Sequence, residues 1–169
     1  MIVCIDSGNS RIKWGVSDAG VWLESGAIDQ ADAGKLAGLA QRLPLPARVM
    51  LANVAGTVAR EKIVAALAPW QSLVHEVKST ASAGGVVNCY ENPAQLGVDR
   101  WCALIGALVM SVAPCVVVMA GTATTIDTLD GEGHFLGGLI LPGFDLMRHS
   151  LARDTAALPL AAGSYSLHP

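Results

Sequence analysis

Ile2 to Ile5 is a short β-rich apolar run, and Arg11 to Val16 alternates apolar and polar residues after Asp6-Ser7-Gly8-Asn9-Ser10. A period of two marks a half-buried strand and a Gly/Asn/Ser cluster marks a turn, so the chain opens as strand, tight turn, strand. Val21 to Gly26 reads as a third strand. Ala33 to Leu43 reads as an Ala/Leu-rich helix closed by Pro44 and Pro46, and Arg48 to Asn53 as a fourth strand. A helix over Val58 to Leu67 and a strand over Leu73 to Val77 follow. Ser82 to Gln95, with its Gly, Asn and Pro residues, reads as a loop leading into a helix from Gly97 to about Val112, stopped by Pro114.

The pattern then restarts. Cys115 to Met119 is an apolar strand, Ala120-Gly121-Thr122-Ala123 a tight turn, Thr124 to Leu129 a strand, and Asp130-Gly131-Glu132-Gly133 a hairpin turn. His134 to Leu141 forms a third strand, Pro142-Gly143 a break, and Asp145 to Ala152 a helical start. Gly8 and Gly121 stand 113 residues apart, which makes the second stretch a copy of the first. Residues 1–113 are expected to form one complete α/β half, and 114–169 the start of a second, truncated half.

Composition agrees with a folded α/β protein: hydrophobic residues make up 52% and charged residues 15% of the 169, too apolar and too weakly charged for disorder. The net charge of −3 and scattered cations carry no footprint for nucleic acid or anionic lipid. The longest apolar runs, Val116 to Met119 and Leu139 to Leu141, fall far short of the ~20 residues of a spanning helix. Met1 to Ile5 lacks the basic start of a signal peptide, and a cytoplasmic location is expected. Cys4, Cys89, Cys102 and Cys115 form no Cys-x-x-Cys pair and read as reduced thiols, and the four histidines match no zinc spacing.

The chemistry lies in the turns. A glycine-containing turn between strands lets backbone amides approach an anion, because glycine has no side chain to block it and tolerates positive φ. Asp6 can hold Mg2+, usually through water, and Asn9, Ser10 and Lys13 offer donors and a cation to phosphate oxygens. The same stretch taken alone could be an ordinary hairpin. Its partial echo at Gly121-Thr122-Ala123-Thr124 favours two facing turns that clamp a nucleotide's phosphates. Trp14, Trp22, Trp70 and Trp101 read as packing residues.

Four segments in order resemble the type III pantothenate kinases, which include the Bvg accessory factor members, of the acetate and sugar kinase/Hsc70/actin superfamily. They are Asp6-Ser7-Gly8-Asn9-Ser10-Arg11-Ile12-Lys13, Tyr90 to Trp101 with Gly97-Val98-Asp99-Arg100, Gly121-Thr122-Ala123-Thr124-Thr125-Ile126-Asp127, and Gly137-Gly138-Leu139-Ile140-Leu141-Pro142-Gly143. The resemblance implies a duplicated ribonuclease-H-like, actin-like ATPase fold and ATP-dependent phosphorylation of pantothenate, the first step of coenzyme A synthesis. By it, Asp6, Ser7, Gly8, Asn9, Ser10, Arg11, Ile12, Lys13 and Thr122 would bind ATP, with Mg2+ on Asp6. Tyr90, Gly97, Val98, Asp99 and Arg100 would bind pantothenate, and Asp99 would be the general base. It further implies a homodimer for the full-length protein.

Asp99 suits that task, since phosphoryl transfer needs alignment, charge neutralisation and a group to accept the attacking hydroxyl's proton. It stands at a helix start, where the dipole favours the anion, and Arg100 beside it can pair with a carboxylate. Gly137 to Gly143 either shapes the floor of the pantothenate site or is a plain strand-to-helix break. One departure stands out: Met119 occupies the place of the Asp that usually opens the family's second phosphate turn. A carboxylate there would help to hold a monovalent cation, K+ or NH4+, whereas a thioether is a poor ligand for hard cations. Asp127 is expected at the cleft's edge or in solvent. Met119 and the short chain motivate an alternative, a non-catalytic regulatory protein on the kinase scaffold.

Overall fold

The computed structural model describes residues 1–110 and 113–160. The first stretch contains β1 (Ile2–Ser7), β2 (Arg11–Asp18), β3 (Val21–Asp29), α1 (Ala37–Arg42), β4 (Arg48–Asn53), α2 (Thr57–Ala66) and β5 (Val74–Glu76). It continues with β6 (Ser82–Ala83), β7 (Val86–Asn88) and α3 (Val98–Met110). The second contains β8 (Cys115–Ala120), β9 (Ala123–Leu129), β10 (His134–Pro142) and α4 (Phe144–Asp154).

Two five-stranded sheets result. The first runs β3-β2-β1-β4-β5, an antiparallel meander extended by two parallel strands, and the second runs β6-β7-β10-β9-β8. β8 and β1 are displaced by the expected 113 residues, as are β10 and β3, so the meander occurs twice in one order. This is the duplicated ribonuclease-H-like pattern. In the first copy β4 pairs with the outer edge of β1; among the described residues no strand pairs with that edge of β8. The expected boundary at 113 falls in the connection between α3 and β8. Strands β6 and β7, which precede it, join the second sheet.

That hairpin corrects the reading of 82–95 as loop. Gly84 and Gly85 both take positive φ, +57° and +86°, the conformation a two-residue hairpin turn demands. A Gly-Gly pair between two short runs is the sequence signal for it. The helix expected over 33–43 begins earlier, as a 3-10 stretch Gln30–Leu36 that leads into α1, and ends where Leu43 turns extended ahead of Pro44. β1 extends through Ser7 and β10 through Pro142, so the first turn shrinks to Gly8-Asn9-Ser10 and the break falls at Gly143 alone. The end of the helix expected at Val112 lies outside the described residues, as do residues 161–169 of the expected second half.

Alternation along β1 produces two faces with different partners. Val3, Ile5 and Ser7 point into the first core with Ile12, Val49, Leu51, Leu36, Ile63 and Trp70. Cys4 and Asp6 point the other way, and α3 packs on β4 of the first sheet and on β7, β8 and β9 of the second. α3 therefore lies between the sheets. Its other side sends Trp101 and Leu104 into a second core with Val86, Leu96, Leu129 and Phe135. The tryptophans pack as expected: Trp70 and Trp101 are buried, Trp14 lies over Gly26, and the exposed Trp22 covers Gly15.

Candidate active site

The first turn is closed by the Gly8 N–H donating to the Arg11 carbonyl at 3.0 Å, and a Cβ on Gly8 would make a tight 3.3 Å contact with that oxygen. Neither Gly8 nor Gly121 takes the positive φ expected of a turn glycine. Asp6 sits opposite Lys13 in the β1–β2 register, and the ammonium reaches the carboxylate at 3.4 Å. Asn9, Ser10, Arg11 and Lys13 are exposed around this turn. Ser7 and Ile12 are fully buried, backbone included, and face each other in the β1–β2 ladder, so they shape the turn and do not meet an anion, contrary to expectation.

Gln30, which the sequence does not single out, holds the turn from behind. Its Nε2 donates to Ser7 Oγ and to the Gly8 carbonyl, each at 3.0 Å, and its backbone N–H donates to the Ser10 carbonyl. The β2–β3 register brings it there, because Arg11 pairs with Asp29.

The second turn meets the first: Ser10 Oγ and Thr122 Oγ1 lie 2.7 Å apart. Gly143, at the start of α4, backs this turn by donating its N–H to the Thr122 carbonyl at 2.9 Å and by packing on the Gly121 carbonyl. Gly143 thus packs the junction of β10 and α4 against the second turn.

Asp99 stands in the first turn of α3, and its Oδ1 accepts the Arg100 N–H at 2.8 Å. A Cβ on Gly97 would come within 2.6 Å of that oxygen, so Gly97 makes room for the carboxylate itself. Gly97 and Val98 also line a cleft of ≈ 390 Å³ with Asn53, Val54, Lys78 and Ser79, at the ends of β4 and β5. Tyr90 is half-buried, its ring 5.1 Å from that of Phe135.

Arg100 and Asp127 are placed differently from expectation. Asp127 is 1% exposed, in the interior and away from solvent, and its carboxylate is gripped by Arg100. The alternation of β9, which buries Thr125, Asp127 and Leu129 on one face, carries it inward. Hydrogen bonding to Asp127 leads the causes that hold the Arg100 guanidinium still more firmly protonated than usual, with a smaller contribution from Tyr90. Met119 pairs in register with Thr125, whose buried hydroxyl has no hydrogen-bond partner among the described residues.

Residues 2–166 match the profile of the type III pantothenate kinases. Among curated relatives named type III pantothenate kinase, that of Dechloromonas aromatica is 56% identical over all of this chain and 71% of its own length. That of Aromatoleum aromaticum is 49% identical over 98% of this chain and 68% of its own, and that of Nitrosospira multiformis 41% identical over 100% and 64%. The chain thus spans about two thirds of the length of the relatives it matches. Among solved structures, a Baf family transcriptional activator from Campylobacter jejuni superposes with a TM-score of 0.53 at 21% identity, over 90% of this chain and 60% of that one. A 2-dehydro-3-deoxygalactonokinase protein from Sinorhizobium meliloti gives 0.53 at 13% identity, over 92% and 57%. At these identities the superpositions speak for the fold alone.

Proposed function

The chain belongs to the type III pantothenate kinase family, and from that membership we propose that it carries the ATP-dependent phosphorylation of pantothenate to 4'-phosphopantothenate. The observation that supports the reading is the meeting of the two turns, with Ser10 Oγ and Thr122 Oγ1 2.7 Å apart. Asp6, Asn9, Ser10, Lys13 and Thr122 bind ATP, with Gly8 and the nearby Arg11 completing the turn and Ser7 and Ile12 holding its base. Tyr90, Gly97 and Val98 bind pantothenate, and Arg100, expected from the sequence to do so directly, supports that site from the interior with its guanidinium on Asp127.

Asp99 accepts the proton of pantothenate's primary hydroxyl as that oxygen bonds to the γ-phosphorus and the bond to the β,γ-bridging oxygen breaks, releasing ADP. Asp99 is the acidic residue of the first turn of α3. Asp6 is the carboxylate that suits Mg2+, which when bound neutralises phosphate charge. A monovalent cation at the second turn does not fit: Met119 offers a thioether where K+ or NH4+ needs hard oxygen donors. Family membership also supports a homodimer for the full-length protein, working in the cytoplasm.

Coupled ADP release, with and without pantothenate, tests the reading in the full-length protein. Pantothenate-dependent turnover is expected, lost in Asp99→Asn while pantothenate binding by calorimetry persists. Binding of ATP without any pantothenate-dependent turnover in the unaltered protein would favour the regulatory alternative.

A further inference from the structure

Asp127 takes no part in the phosphoryl transfer proposed above, yet it is a carboxylate buried among strands. Arg100 Nε donates to both its oxygens, at 3.2 and 3.1 Å, and Nη2 donates to Oδ1. The two side chains are 7% and 1% exposed. Withdrawing both charges from water costs several kcal/mol per ion, and an apolar pair of equal volume is often as stable, so stability alone does not account for the pair.

The surroundings are shaped to this pair. Gly138, opposite Asp127 on β10, leaves the space: a Cβ there would strike the Asp127 carboxylate and lie 2.8 Å from Arg100 Nη2. The guanidinium lies 5.8 Å from the centre of the Phe135 ring, which also packs on Tyr90. Along the chain, Arg100 follows Asp99, and β9 runs from the turn at Gly121–Thr122 to Asp127. The ion pair thus ties the helix turn that carries Asp99 to the strand that begins at the second phosphate turn.

We propose that Asp127 is a positioning residue: by anchoring Arg100 to β9 it sets where the first turn of α3, with Asp99 and the pantothenate-facing groups, stands relative to the bound phosphates. This rests on the kinase reading, and the tests separate the two. In the full-length protein, Asp127→Asn is expected to lower kcat/KM for pantothenate at least tenfold while KM for ATP stays within twofold. The double variant Arg100→Met/Asp127→Leu, free of buried charge, is expected to unfold near the temperature of the unaltered protein without regaining that kcat/KM. A kcat/KM for pantothenate within twofold of the original in Asp127→Asn, equal shifts in both KM values, or full recovery in the double variant would overturn the proposal. Hydrogen exchange reads the same role without turnover. Amides of residues 98–102 are expected to exchange at least tenfold faster in Asp127→Asn with β1 unchanged. Unaltered protection there overturns the proposal even in a protein that does not phosphorylate pantothenate.

Discussion

The Ser10 and Thr122 hydroxyls lie 2.7 Å apart although 112 residues separate them in the chain, so the two copies of the repeated turn meet at one place. The contact is exposed and is worth only about 0.5–1.5 kcal/mol as a neutral hydrogen bond. Its importance is in what the two hydroxyls face together.

Thr122→Ala should therefore act on the nucleotide alone. A hydrogen bond to a charged phosphate is worth about 1.5–3 kcal/mol, so KM for ATP should rise about tenfold or more, with KM for pantothenate within twofold. Steady-state kinetics with each substrate varied in turn decides it; an equal rise in both would place Thr122 outside the nucleotide site.

Gln30→Ala removes two donors from the back of the first turn, those to Ser7 Oγ and the Gly8 carbonyl. It should cost about 1–2 kcal/mol of stability and raise KM for ATP, although Gln30 is expected to touch no substrate. A thermal melt and an ATP titration check both parts, and a normal KM with a lowered Tm would leave Gln30 as a structural residue only.

Gly143→Ala would place a Cβ 2.6 Å from the Thr122 carbonyl oxygen and against that of Gly121. Gly143 has an ordinary φ of −68°, so the penalty is contact and not conformation. Overpacking of this kind costs about 1–3 kcal/mol, to be seen as a lower Tm together with weaker ATP binding. An unshifted melting curve would show that the turn yields freely.

Thiol labelling tests the placement of α3. Burial, followed by the charges of Asp6 and Asp99, pushes the Cys102 thiol up, and burial pushes up Cys4. Raised thiols stay protonated to higher pH, so at pH 8 both should alkylate more slowly than the exposed Cys89 when followed by mass spectrometry. Asp99→Asn removes one of the raising charges and should speed labelling of Cys102 specifically. Labelling of Cys102 as fast as Cys89 in the unaltered protein would contradict its position between the sheets.

Much of the architecture is legible in local pattern. Period-two alternation marks β2, short apolar runs mark β1 and β8, proline marks the end of α1, and the recurrence of a glycine turn after 113 residues announces the duplication before any contact is known. The four motif segments identify the residues that the two turns and the start of α3 present. Such features are encoded within a few neighbouring residues, by side-chain period and backbone freedom, so no distant partner is needed to read them.

What a residue faces is decided elsewhere. Val116 and Val118 repeat Val3 and Ile5 in the duplicated unit, yet they are 60% exposed where their counterparts are 0% and 2%, because among the described residues only the first sheet has helices over that face. Asp127 looks like a solvent residue in a polar run, and only the packing of α3 on β9 supplies the guanidinium that makes burial tolerable. Gln30 is unremarkable until sheet register delivers it to the first turn. The sequence alone determined the elements and the chemistry they carry. Tertiary structure decided the pairings, because burial and charge compensation depend on surfaces that meet across more than a hundred residues of chain.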